Sequence, residues 1–173
     1  SGSRARVRSC CNRNGTSTKK MDEDLITNPK WSQRRQNRAT AFRFIFQWEI
    51  NPSEDLNRDL MDFIDRLGKN EGFYNYAIEL VDGIVEKKDI IDSMIRELVD
   101  NWEFSRIAKA DLSLLRVAIY EIEYRLDIPP VVVIDETLEI SKEFSTENSK
   151  KFLNGVLDKF ISKIKRPSRK PAI

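Results

Sequence analysis

Histidine is absent from the 173 residues. That excludes general base catalysis by imidazole, the Ser-His-Asp triad and every metal site that needs a histidine ligand. Cysteine is limited to Cys10 and Cys11. Adjacent cysteines rarely close a relaxed disulfide, and no further Cys or His is available to complete a zinc site. So little cysteine suits a reducing compartment, which makes a cytoplasmic location the expectation. No run approaches 18 apolar residues, so no membrane span is expected. There is no Gly-rich phosphate loop, and the residues call for no cofactor. No charged-then-apolar leader opens the chain.

What is present is an acidic body between basic ends. Residues 1–38 hold 10 basic and 3 acidic side chains, a net of +7; residues 39–158 hold 14 and 25, a net of −11; residues 159–173 hold 6 and none. A polyanion is therefore expected to meet this chain at its ends. Hydrophobic residues make up 40% and charged residues 34%, which suits a globular chain with a real core.

The stretch Arg106–Leu126 is expected to be the central helix. It contains neither Gly nor Pro, and Ala108, Leu112, Leu115, Ile119, Ile122 and Leu126 recur at spacings of 4, 3, 4, 3 and 4. Ala110, Leu114, Val117, Ala118 and Tyr120 widen that apolar face, so other helices must cover it from several sides.

Around it the pattern is helical from Arg34 onward, which gives an all-α fold class. Residues 1–33 read as a disordered basic tail, residues 34–165 as the folded domain, and residues 166–173 as a basic flexible C-terminus. The opening Ser-Gly-Ser suggests a non-native or processed end, with Met21 as a candidate start. Ala41, Ile45 and Trp48 mark a first helix that Pro52 ends. Ser53 suits the N-cap of a second, which Gly68 closes. Two helices joined near Lys87–Asp89 follow, and Trp102, Phe104 and Ile107 lead into the central one. Val131–Ile134 alone resembles a strand, but Pro130 suits a first helical turn and the period continues through Thr137, Ile140 and Phe144. Residues 148–165 form the last helix, where Gly155 is expected to permit a close crossing.

Arg34, Arg35 and Arg38 open the first helix against its macrodipole, an arrangement that phosphate contact would explain as readily as a solvated cap. Asp135, Glu136, Glu139 and Lys142 form a charged face, read either as paired carboxylates or as structural ion pairs. Arg116 and Glu121 read as a partly buried pair, and Phe152 as core or as a base-stacking platform.

These segments resemble the NusB family of bacterial transcription antitermination factors. The resemblance runs from about Arg34 to Lys165. RRQNRATAFRFIFQWE is similar to the family's arginine-rich first helix and DLSLLRVAIYEI to its central helix. The most specific part is IPPVVVIDETLEISKEFSTENSKKFLNGVLDKF, with Asp135-Glu136, Lys142, Phe144, Ser149, Lys151-Phe152 and Asn154-Gly155-Val156-Leu157-Asp158 in order.

The resemblance implies a seven-helix fold of two small bundles and no enzymatic activity. It implies binding of boxA-type single-stranded RNA together with NusE, a small-subunit ribosomal protein, within an RNA polymerase antitermination complex that sustains ribosomal RNA transcription. Carried onto this sequence, it assigns RNA contacts to Arg34, Arg35, Arg38, Asn148, Lys151 and Phe152, and a NusE contact to Asp111. Gln36 stands where the family can have arginine. The resemblance admits a monomer or a homodimer. Other readings are a NusB-like domain acting in ribosomal RNA methylation or ribosome assembly, and a helical adaptor that binds only protein.

Overall fold

The computed structural model describes residues 28–70, 72–99, 103–144 and 146–173. Cys10, Cys11 and Met21, together with the expected bridge at Trp102, lie outside the described residues. Among the described residues seven α-helices follow in order: α1 Gln33–Ile50, α2 Leu56–Asp65, α3 Asn75–Glu86, α4 Lys88–Leu98, α5 Lys109–Tyr124, α6 Pro130–Phe144 and α7 Glu147–Lys163, with a 3-10 turn at Phe104–Arg106 before α5. No strand occurs among the described residues.

The helix ends follow local chemistry. Ser32 Oγ accepts from Arg35 N at 3.2 Å and caps α1. Pro52 follows the last turn of α1, where Asn51 N donates to Gln47 O at 2.9 Å. The cap of α2 is Asp55, which accepts from Arg58 N at 3.1 Å. The expected cap, Ser53, lies two residues too early, and its hydroxyl is buried without a partner. Gly68, at φ +65, takes the left-handed turn after α2. Pro130 opens α6, as its fixed φ and missing N–H favour. Thr146 Oγ1 accepts from Ser149 N at 3.3 Å and caps α7.

α5 is the centre. From Asp111 to Ile122 every residue but Tyr120 is buried. It packs against α1, α3, α4, α6 and α7. α1 and α3 form one bundle with α5, and α4, α6 and α7 form the other, so α5 belongs to both. It is shorter than its apolar period, because Ile107 and Ala108 are extended and Arg125 ends the last turn.

α1 is buried on much of its circumference, and its buried polar side chains make hydrogen bonds, although Gln36 Oε1 is left without a partner. Asn37 Nδ2 donates to Phe73 O at 2.9 Å, and Asn37 Oδ1 accepts from Ala77 N at 2.9 Å, joining α1 to the start of α3. Gln36 is also buried, and its Nε2 donates to Trp31 O at 2.9 Å. Its side chain is thus committed inside the fold.

Two other expectations are corrected. The close helix crossing is not at Gly155, where an added Cβ would meet nothing within 4 Å; it is at Gly83 on α3, where it would stand 1.9 Å from Tyr120 Oη of α5. Arg116 and Glu121 do not pair with each other. Arg116 Nε donates to Asp92 Oδ1 at 2.7 Å and its Nη1 to Glu49 Oε2 at 2.9 Å, whereas Glu121 accepts from Arg38. Five residues along a helix turn the side chain by about 140°, which puts the two on different faces.

The ends are also more engaged than the sequence suggests. Trp31 packs on the core and Ser32 caps α1, so the residue 33–34 boundary falls inside a structured start. Beyond α7, Val131 N donates to Ser168 O at 3.0 Å and Ala172 N to Leu126 O at 2.8 Å. The C-terminal segment therefore runs as a strap over the α5–α6 loop.

Candidate nucleic-acid interface

The three arginines that open α1 occupy three environments. Arg34 is about half exposed; its guanidinium lies 4.4 Å from the Tyr76 ring centroid and 3.8 Å from Asp127 Oδ2. Arg35 is partly exposed and makes a two-pronged pair with Glu136 of α6, at 2.9 Å from Nε and 2.8 Å from Nη2. Arg38 is 3% exposed. Its Nε donates to both Glu121 oxygens, at 3.0 and 2.9 Å, and its Nη1 reaches Glu136 at 3.4 Å.

The spacing explains the gradient. Arg38 is three, four and seven residues before Ala41, Phe42 and Ile45, on the stripe that faces the core. Arg34 is one turn earlier, where the helix emerges. Arg38 is therefore a positioning residue held beneath the surface, with no free face for phosphate, whereas Arg34 can meet a ligand directly.

Tyr76 of α3 completes the buried cluster by donating its hydroxyl to Glu121 Oε1. Burial and the Glu121 charge push the Tyr76 phenol well above its ordinary range, so it remains a donor. Burial acts to lower the Arg38 pKa, but the Glu121 charge and hydrogen bond more than offset it and hold it fully cationic. On the surface, the Arg35 hydrogen bond holds the Glu136 carboxyl below its usual range despite partial burial. The paired-carboxylate reading of this face fails on these partners. Glu136 is consumed by Arg35 and Glu139 by a hydrogen bond from Lys142.

Glu139, further along α6, is paired with Lys142 on the same helix. Its carboxyl is held low by Lys142 first, and also by the charges of Arg35 and Lys150. The next residue, Lys151, is exposed, as is Asn148, while Phe152 is partly buried and packs on the core. Of the two readings its spacing left open, the packing shows the core one, with part of the ring surface accessible. Among the arginine and α7 candidates, all but Arg38 present some surface. Asp111 is elsewhere, in the first turn of α5, where it is 6% exposed and suits the positive helix end.

Sequence reasoning missed Tyr76, Glu121 and Asn37 as the groups that set the arginines. Glu121 carried a signal, a carboxylate amid a buried helix face; Tyr76 carried none beyond its helical period.

No group of three or more His, Cys, Asp or Glu that could hold a metal occurs among the described residues, and no described helix is long and apolar enough to cross a membrane.

Comparison with known proteins bears on this geometry. The NusB family model matches residues 35–162. A transcription antitermination protein NusB of Desulfitobacterium hafniense is 38% identical over 138 residues, spanning 79% of this chain and 93% of that protein. A crystal form of T. maritima NusB superposes with a TM-score of 0.69 at 36% identity, over 75% of this chain and 91% of that one. A crystal structure of antitermination factors NusB and NusE in complex with dsRNA contains a chain that matches at TM-score 0.69 and 26% identity, over 76% of this chain and 98% of that one. With a family match across most of its length and helices in the same arrangement, this chain belongs to the NusB family.

Proposed function

We propose that this chain is an RNA-binding transcription antitermination factor, which binds boxA-type single-stranded RNA together with a NusE-type ribosomal protein. The observation that carries the reading is the junction of α1, α6 and α7. At the start of α1 the exposed Arg34 lies against Tyr76 and Asp127 and the partly exposed Arg35 pairs with Glu136 of α6, while the head of α7 adds the basic Lys150 and Lys151. Arg34 fixes phosphate, with Tyr76 behind it as a rigid support. Arg35 joins it when phosphate competes with Glu136. Lys151 and Asn148 add polar contacts, and the accessible part of Phe152 stacks on an unstacked base. Asp111, being buried, would act in the NusE contact by shaping the start of α5 rather than by offering a free carboxylate.

This is a binding role without catalysis. The likeness to a chain crystallised with NusE and RNA supports it. Assembly with RNA polymerase follows from the same reading.

The test is fluorescence anisotropy with a labelled 12-nucleotide boxA-type RNA and a scrambled control, with and without NusE, at fixed salt. The expected result is a preference for boxA that NusE increases and that Arg34→Ala and Phe152→Ala reduce. Equal affinity for both RNAs, unchanged by NusE, would leave a helical protein adaptor as the better reading.

A further inference from the structure

The residues after α7 fall outside the span matched by the family, which ends at residue 162. They hold no acidic side chain, and their basic residues include Lys165, Arg166, Arg169 and Lys170. A run of this kind is ordinarily a solvated tail whose charges act only through screened attraction. Here it is fixed. Ser168 O accepts from Val131 N at 3.0 Å, and Ala172 N donates to Leu126 O at 2.8 Å. Arg166 Nη2 donates to Ile128 O at 3.2 Å. Its Nε and Nη1 are buried without a hydrogen-bond partner, so the single bond to Ile128 is what ties this side chain to the loop. Lys165, Arg169 and Lys170 remain exposed.

The site of attachment matters. The strap bonds to residues 126 and 128, on either side of Asp127. Asp127 is the residue that Arg34 approaches to 3.8 Å. Arg125 also donates to it, at 3.2 Å. The two basic ends of an acidic chain therefore meet at one loop.

We infer that the C-terminal strap and the N-terminal turn of α1 form one basic surface, on which the backbone of single-stranded RNA flanking the specifically bound segment is held. The inference rests on the RNA-binding reading above and extends its footprint. Charge complementarity selects the occupant: exposed cations, held by backbone hydrogen bonds, beside an arginine already placed for phosphate. Such contacts carry no sequence information, so the strap adds affinity for length and not for boxA. Its signature is salt dependence, because each phosphate neutralised on a single strand adds about 0.7 to the slope of log affinity against log salt.

The experiment uses the full chain and a variant carrying Lys165→Gln, Arg169→Gln and Lys170→Gln. These side chains are exposed and the strap is held by backbone groups and Arg166, so the melting temperature serves as a control for folding. A charge-preserving variant, Lys165→Arg, Arg169→Lys and Lys170→Arg, is the second arm. Probes are the 12-nucleotide boxA-type RNA and the same RNA extended by ten uridines at the 5′ or the 3′ end. We expect the wild type to bind one extended RNA with a steeper salt slope than the 12-mer. The glutamine variant should lose up to about 2 from that slope, about 0.7 for each charge engaged, with the 12-mer unaffected. The charge-preserving variant should behave as wild type. Identical slopes for wild type and glutamine variant on every probe would overturn the inference while leaving boxA recognition standing. A slope that falls for extended RNAs although no protein prefers boxA over a scrambled 12-mer would support the strap and refute the specific reading. Equal slopes together with no boxA preference would refute both.

Discussion

Arg38→Ala is expected to destabilise the domain strongly rather than merely weaken RNA binding. Arg38 is 4% exposed in its side chain and Glu121 0%. Removing the guanidinium leaves Glu121 with the Tyr76 hydroxyl and takes the Nη1 contact from Glu136. Breaking a buried pair from one side costs about 3–5 kcal/mol, because the remaining charge stays desolvated. A domain of ordinary stability has about 5–15 kcal/mol in total. In urea, with a slope of about 2 kcal/mol per M, the midpoint should fall by about 2 M with the slope unchanged. Arg34→Ala is the contrast. Its pair with Asp127 is exposed, so it should cost at most about 1 kcal/mol. Pairing Arg38→Met with Glu121→Gln should recover much of the loss, since the stranded charge is gone. Unfolding is followed by circular dichroism, and RNA binding is measured only where each variant is folded. If Arg38→Ala leaves the midpoint within about 0.5 M of wild type, a shift of about 1 kcal/mol, yet lowers RNA affinity tenfold, the guanidinium is reaching phosphate and the burial argument fails.

Three further outcomes follow from the packing. Gly83→Ala should destabilise by about 1 kcal/mol, because displacing Tyr120 costs about 1–3 kcal/mol and the gain in helix propensity returns only about 1; in a Tyr120→Ala background the same change should become stabilising, as a double-mutant cycle will read. Gly155→Ala, by contrast, meets open space in the middle of α7 and should raise stability by about 0.5–1 kcal/mol in thermal melts; a loss there would mean the helix does cross a neighbour closely. Burial pushes the Asp92 carboxyl up, but Arg116 and then Lys88 outweigh it and hold the group below its usual range. Its stabilising contribution is therefore complete above the unfolded pKa near 4 and lost as pH falls through the lower folded value, so urea midpoints taken from pH 5 down to 2 should drop less steeply in Asp92→Asn than in wild type.

The helices were legible because their signals are local. The period of α5, the proline stop after α1 and the proline start of α6 each depend on neighbours within a few residues. Even the deceptive Val131–Ile134 run resolved once the period was followed to Phe144. The site was legible by residue type but not by role. Arg34, Arg35 and Arg38 look alike in sequence, and what separates them is depth. Depth was partly encoded, since Arg38 shares a stripe with Phe42 and Ile45. Its partners were not, because Glu121 is 83 positions away and the choice between Arg38 and Arg116 is made by the crossing of two helices. The glycines show the same limit. Gly83 and Gly155 both stand inside helical periods, and only the approach of Tyr120 tells them apart. The strap had no local signal at all: backbone hydrogen bonds to Leu126 and Val131 leave no mark on side-chain pattern.

The buried ion pairs have a meaning beyond their net energy, which for such pairs is small or unfavourable relative to apolar residues. Along α1 the contacts run Arg34, Arg38, Glu49; their partners run Asp127, Glu121, Arg116, in descending order. The helices are therefore antiparallel, locked near both ends. From Arg38 to Glu49 is about 16 Å of helix, whereas Glu121 to Arg116 is about 8 Å. The difference is spanned by two long arginine side chains, one from each helix, and by the angle between the axes. A slip of one turn would shift α1 by about 5.4 Å, beyond hydrogen-bond reach for every pair at once. Apolar faces filled with Ala, Phe and Ile resist such a slip weakly, since hydrophobic packing tolerates rearrangement at similar volume. Charged pairs resist it strongly, because a mispaired buried charge has no solvent to fall back on. What they fix is the placement of the first turn of α1 against α6 and the α5–α6 loop. Arg35 is brought to Glu136, and Arg34 to Tyr76 and Asp127, by pairs buried one turn and four turns further along the same helix. The exposed arginines are held at fixed positions because the arginine beneath them is not exposed.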